Sequence, residues 1–292
     1  MDYLVGGHIV RIMAEAGDSV LDRLLPSFVH FKTACGADAV PMLSLTLHRR
    51  MAQLPEKQRR LIADIDTGNG MTRVEKTPSG GYQITVCNVA GEPCALLIMS
   101  PDFNECHCAL RGDEVQRSFG LNSVMMITYA FNGAFHDTIL VHASVVRHAG
   151  RAYAFTAESG TGKSTQVANW LKNVEGCDLV NDDNPIIRVI DGAPVLFGSP
   201  WSGKTACYRN IKVPLGAVLK IQRDSTNHVE PLDPVNAFAT LLSACSSIRS
   251  DEKVYNNTCG IVSRLIPMVT MATLHCLPDA ESALVCRRYL EG

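Results

Sequence analysis

The 292-residue chain has no strong charge bias: 27 basic residues stand against 29 acidic ones, a formal net charge of -2. Without a basic excess or a Lys/Arg stripe, no nucleic acid partner is expected. An apolar run long enough to span a bilayer is also missing, and Asp2 in MDYLVGGHIV stands where a secretory signal would carry positive charge. These absences predict a cytoplasmic protein without membrane attachment. No CxxC pair occurs among the eleven cysteines, whose odd number and scattered spacing fit reduced, mostly buried thiols better than a disulfide framework. Cys106-His107-Cys108 is the one tight Cys/His cluster, and it lacks a second ligand pair at metal-site spacing. With 46% apolar and 19% charged residues, the chain can bury a substantial core as one large or two smaller domains.

The pattern divides it into 1–115 and 116–292. The first region predicts a smaller, irregular α+β unit of unassigned role, with strand-like GYQITVCNV (81–89) and ALLIMS (95–100) and a hairpin turn at 77–81. His48, Arg49 and Arg50 form a small basic cluster expected on a solvated face. From Asn122, NSVMMITYAFNGAF predicts a buried helix. TILVHASVV (138–146) and RAYAFTA (151–157) then read as two strands, whose short connection demands an antiparallel hairpin and hence a mixed sheet. GKSTQVANWLKN predicts a helix with Val167, Trp170 and Leu171 toward the sheet, and CDLV (177–180) a buried strand. A hairpin about Asp191-Gly192, a strand at 213–222, a helix at 233–245, a strand at 267–276 and a helix at 278–290 complete the pattern.

Residues 157–165 read AESGTGKST, a phosphate-loop string with Ala157 in place of the usual first glycine, set between a strand and a helix. In such a loop Glu158, Ser159, Gly160, Thr161, Gly162 and Thr165 bring backbone N–H groups around phosphate oxygens, and the helix adds the positive end of its dipole. Lys163 would reach the outer phosphates, and the Ser164 hydroxyl would ligate Mg²⁺. The pattern therefore predicts ATP and Mg²⁺ as cofactors. Asp182 and Asp183 follow a buried strand, where carboxylates are costly unless they handle a cation or a proton. Asp183 is a metal candidate beside Ser164, and which aspartate acts as base is open between the two. His142, mid-strand before the loop, is a further candidate, as are Lys204 and Arg209 in GSPWSGKTACYRN, a second cationic loop suited to neutralising a migrating phosphoryl group.

The order VHASVV, ESGTGKST, helix, LVNDDNP resembles the nucleotide-binding core of the HPr kinase/phosphorylase and phosphoenolpyruvate carboxykinase type, over about 138–190 closely and loosely to the end of the chain. The resemblance implies an α/β mixed-sheet P-loop kinase core. It also implies that residues 160–164 cradle phosphates, that one of Asp182 and Asp183 serves the metal while the other activates an acceptor hydroxyl, and that His142 is an active-site histidine. The expected activity is ATP- and Mg²⁺-dependent transfer of a phosphoryl group to a serine-like hydroxyl of a peptide, protein or small metabolite. A homo-oligomer is implied as well, since the parent family is often oligomeric. The alternatives are a carboxykinase-like enzyme acting on a small carboxylic acid and a nucleotide-responsive binding module without transfer.

Overall fold

The computed structural model describes residues 1–292 apart from Ala37 and Ser159. The chain forms two compact units, Met1–Asn132 and Gly133–Gly292, so the division falls at the end of a long helix whose start lies near residue 115. The first unit contains strands β1 (Asp2–Val5), β2 (His8–Ala14), β3 (Lys32–Thr33), β4 (Leu43–His48), β5 (Arg60–Asp66), β6 (Met71–Lys76), β7 (Tyr82–Cys87), β8 (Pro93–Met99) and β9 (Glu105–Leu110). Its helices are α1 (Ser19–Leu24) and α2 (Glu114–Gly133). All nine strands join one sheet in the order β3-β1-β2-β4-β9-β8-β7-β6-β5, with β2, β4 and β9 parallel.

This unit is more regular than its sequence pattern suggests. The expected hairpin joins β6 and β7 and the run at 95–100 falls largely in β8, but β5 is polar. β5, with Arg60, Asp64 and Asp66, has no fully buried residue and carries little hydrophobic signal. His107 is exposed between the buried Cys106 and Cys108, because successive strand side chains alternate faces, so the three cannot converge on one ion. All eleven cysteines are unpaired. The basic cluster lies at the surface, where Glu15 accepts from the Arg49 amide and pairs with His48.

The second unit contains β10 (Thr138–Leu140), β11 (Ala143–His148), β12 (Arg151–Thr156), β13 (Asp178–Asp183), β14 (Ile186–Ile190), β15 (Ala193–Phe197), β16 (Lys212–Arg223), β17 (His228–Pro231) and β18 (Thr270–Cys276). Helices α3 (Lys163–Asn173), α4 (Pro234–Ala244), α5 (Glu252–Leu265) and α6 (Ala280–Glu291) accompany them. β12, β16 and β18 run parallel, while β11, β13, β15 and β17 join antiparallel, so the sheet is mixed. The β11–β12 hairpin turns on Ala149 and Gly150, and the β14–β15 hairpin on Asp191 and Gly192, all four at positive φ as a two-residue turn of this hand requires.

Period-two alternation sends the two faces of β12 into different cores. Ala152 and Ala154 join Leu241, Ile261 and Val262 on the side of α4 and α5. Tyr153 and Phe155 pack with Val167, Trp170 and Ala283 on the side of α3 and α6. This is the layering of an α/β unit with helices on both faces of its sheet. Two expectations need correction. Leu171 is 41% exposed; the buried stripe of α3 is Gln166, Val167 and Trp170, because Leu171 falls about 100° beyond Trp170 and off the sheet-facing stripe. The run at 138–146 is two strands rather than one, since Val141 leaves the ladder to bridge Cys245 and the His142 amide donates to the Ala244 carbonyl.

Candidate functional site

The loop that begins at Ala157 leaves the carboxyl end of β12, beside the carboxyl end of its parallel neighbour β16, where open α/β sheets place ligands. Gly160 and Gly162 sit at φ of +78° and +134° with open space where a Cβ would stand, so their requirement is conformational rather than steric. Ser159 lies outside the described residues; Glu158 is exposed, and its carbonyl accepts from the Thr161 amide at 3.1 Å. Arg223, at the end of β16, donates to the Gly160 carbonyl at 2.6 Å and the Thr161 carbonyl at 3.1 Å. By tying down the loop's carbonyls, it favours a loop whose amides are left for a ligand.

α3 differs from its neighbours at its first turn. α4, α5 and α6 are capped by Asp233, Asp251 and Asp279, whose side chains accept from amides of the first turn. Gly162 caps α3, and among the described residues no side chain caps the amides of its first turn, the arrangement in which a helix start can receive an anion. Ser164 and Thr165 are exposed at this end. A cleft of about 360 Å³ adjoins it, bounded by Gly160, Thr161, Gly162, Thr165, Arg223 and Asp224 among others.

Across from the loop, β13 carries both aspartates inside the strand rather than after it. Its register against β11 sets Ser144 opposite Asp182 and Ala143 opposite Asp183. Alternation then gives the two carboxylates different surroundings. Asp182 is 3% exposed; its Oδ1 accepts from the Ser144 hydroxyl at 2.8 Å and its Oδ2 from the Thr205 amide at 3.0 Å. The Gly203 amide donates to the Asp182 carbonyl, and a Cβ at Gly203 would stand 2.7 Å from that oxygen, so only glycine fits. Asp182 thus holds the second loop in place. Lys204 lies between these two anchored residues with its side chain exposed.

Asp183 faces the other way. Its Oδ2 accepts from Asn184 Nδ2 at 2.5 Å, and its Oδ1 lies 3.4 Å from His142 Nε2. Burial pushes the Asp183 carboxyl above its usual value, against the pull of His142 and Lys163, while Asp182 adds to the rise. Burial also lowers the Lys163 ammonium, opposed by Asp183 and Asp182; its Nζ donates to the Ala157 carbonyl at 3.1 Å. His142 is 48% exposed and sits in the break between β10 and β11 rather than mid-strand, which frees its ring from strand alternation. Partial burial, then Lys163, hold its imidazole below the ordinary value, against Asp183. Lys163, His142 and Asp183 therefore form one electrostatically coupled group at the foot of the loop.

The remaining candidate is placed differently. Arg209 donates to Asp178 Oδ2 at 2.7 Å and to the Leu179 carbonyl, and Arg147 grips the same carboxylate. Burial would raise the Asp178 carboxyl, but the two guanidiniums hold it below the usual range. Arg209 is thereby engaged with β13 rather than turned toward the loop. Ser144, Asn181 and Arg223 tie β13 and the two loops together through hydrogen bonds that motif spacing does not reveal. Asn181 donates to Ser199 Oγ at 3.1 Å and the Trp201 carbonyl at 3.0 Å, and accepts from the Asn184 amide at 2.9 Å, pinning the turn after β13 to the second loop.

The chain matches no family model and no curated protein. Among solved structures, it is similar to the HPr(Ser) kinase/phosphatase from Coxiella burnetii, with 15% identity and a TM-score of 0.28 over 52% of this chain and 99% of that one. A likeness of that size assigns neither family nor chemistry. Among the described residues, no helix is long and apolar enough to cross a membrane.

Proposed function

We propose that the second unit binds ATP with Mg²⁺ at the 157–165 loop and transfers its terminal phosphoryl group to a hydroxyl-bearing acceptor. The observation that carries this reading is the uncapped first turn of α3, with the Lys163 ammonium within electrostatic reach of Asp183. Phosphoryl transfer asks for positioning and charge neutralisation more than for covalent chemistry, and these groups supply both. Backbone amides of the loop and of residues 163–165 hold phosphate oxygens, and Lys163 neutralises the outer ones. The Ser164 hydroxyl would hold Mg²⁺, which would supply positive charge against the outer phosphates. Asp183, the carboxylate not consumed by structural bonds, accepts the proton of the acceptor hydroxyl, oriented by Asn184 and His142. Lys204, carried on the loop anchored to Asp182, supplies positive charge from the acceptor side.

Incubating the purified chain with γ-labelled ATP, Mg²⁺ and a panel of serine peptides and hydroxylated metabolites tests this directly. Labelled acceptor, or slow labelled phosphate from water, supports it; nucleotide binding with neither product supports a binding module instead.

The raised Asp183 carboxyl makes a second test. A base must be deprotonated to work, so activity is present above its pKa and is lost as pH falls through it. Because burial raises that value, the acid limb of kcat/KM, which reports the free enzyme, should lie above the 3.8 of an ordinary aspartate. His142→Gln removes a group that pulls the carboxyl down, so the limb should move further up. A limb that stays put in His142→Gln would show that another group takes the proton.

A further inference from the structure

Beyond the phosphate loop, the same unit gathers donors that the proposed transfer does not use. Asp224 follows the last residue of β16, His228 opens β17, and His275 lies near the end of β18. His228 and His275 are direct partners in the antiparallel ladder, and their rings stack with centroids 4.5 Å apart and planes 4° from parallel. One ligand atom from each of Asp224, His228 and His275 falls within 4.8 Å of the others. Glu230, two residues after His228, approaches the Nε2 atoms of both histidines at 3.6 Å.

Asp224 Oδ1 accepts from the Ser225 and Thr226 amides and His228 Nδ1 meets the Thr226 hydroxyl at 3.3 Å, but His275 is less well satisfied. His275 is 13% exposed, and its Nδ1 is buried without a hydrogen bond although an Asp224 oxygen lies 3.3 Å away. Parallel stacked imidazoles cannot hydrogen-bond to each other, and a buried ring nitrogen without a partner is costly. Nor can two parallel rings aim their nitrogens at one ion; the partly exposed His228 ring must turn out of the stack, after which three ligand atoms that already lie within 4.8 Å of one another can meet a cation between them. Two imidazoles and a carboxylate form a borderline set that favours zinc and its neighbours over magnesium, which prefers oxygen alone.

We propose that Asp224, His228 and His275 bind a divalent transition metal ion of the zinc type, with water completing its coordination and Glu230 as an outer partner. This site does not depend on the nucleotide reading, although it adjoins the loop. Asp224 lines the cleft beside the loop, and its neighbour Arg223 holds the Gly160 and Thr161 carbonyls. A bound ion would fasten three strand ends together and fix the wall of that cleft.

The test uses the full chain, free of any histidine tag and fully reduced, titrated with Co²⁺ and followed by visible absorption. One equivalent should give d–d bands without thiolate charge transfer. Zn²⁺ should displace the cobalt. His228→Ala and His275→Gln should each weaken uptake by more than the roughly 10–100-fold that losing an outer-shell partner costs. His228 is partly exposed, so its variant should keep the wild-type melting curve; should His275→Gln unfold, His228→Ala decides alone. No cobalt uptake, wild-type affinity in His228→Ala, or a thiolate band pointing to the cysteines would each overturn the assignment. ATP affinity, measured separately without cobalt, bears on the nucleotide reading only.

Discussion

Asp183→Asn should lower phosphoryl transfer by about a thousandfold while leaving nucleotide affinity nearly unchanged. The magnitude is that of removing a general base, roughly 10²–10⁴-fold. The two aspartates differ because β13 alternates. Asp183 keeps its Oδ1 toward His142 and feels the Lys163 charge, whereas both Asp182 oxygens are occupied by Ser144 and the Thr205 amide. The amide in Asp183→Asn is nearly isosteric and sits in a partly open position, so folding should hold. In Asp182→Asn the new NH₂ must face either the Thr205 N–H or the Ser144 hydroxyl in a buried setting. Facing Ser144 it leaves the buried hydroxyl proton without its acceptor, and facing Thr205 it sets two N–H groups against each other, at a cost of about 1–3 kcal/mol. Urea denaturation should thus separate the two: Asp182→Asn loses stability, and activity with it as the second loop loosens, while Asp183→Asn loses activity alone. Wild-type transfer rates in Asp183→Asn would remove the assigned base.

Local pattern was enough to predict most elements of the second unit, because its strands and helices carry period-two and helical signals in single runs. Both hairpins, the strand–loop–helix order and the mixed sheet are legible in this way. Long-range pairing was not. Nothing at Leu43–His48 or Glu105–Leu110 says that these strands lie parallel to each other, since their shared hydrophobic face is supplied by residues far apart in the chain. The site divides along the same line. The loop residues and the paired aspartates stand in recognisable spacing. The separation of their roles does not, because it depends on the β11–β13 register that sets Ser144 against Asp182. Arg223, which clasps the loop more than sixty residues earlier, becomes visible only when β16 lies beside β12. The break at Val141-His142 was equally hidden, since TILVHASVV has the composition of one continuous strand and the interruption is imposed by Cys245 and the Ala244 carbonyl.

Lys163→Ala should weaken the binding of Mg²⁺-ATP by about 100-fold, measured by calorimetry. A hydrogen bond to a charged partner contributes roughly 1.5–3 kcal/mol, which corresponds to about 10–150-fold in Kd. The upper part of that range is expected here. Burial disfavours the ammonium in the free protein and lowers its pKa, and a triphosphate would stabilise its charge where the Ala157 carbonyl now accepts from it. The truncation leaves a single carbonyl acceptor beside an exposed loop, so thermal stability should change little. A further effect separates this from simple loss of contact. Lys163 lowers the Asp183 carboxyl, so in its absence that carboxyl should rise, and the acid limb of any residual activity should move up in pH as it does in His142→Gln. If calorimetry finds wild-type affinity in Lys163→Ala, the ammonium is not at the phosphates; if affinity falls but the limb stays fixed, Lys163 and Asp183 do not act on the same reacting group.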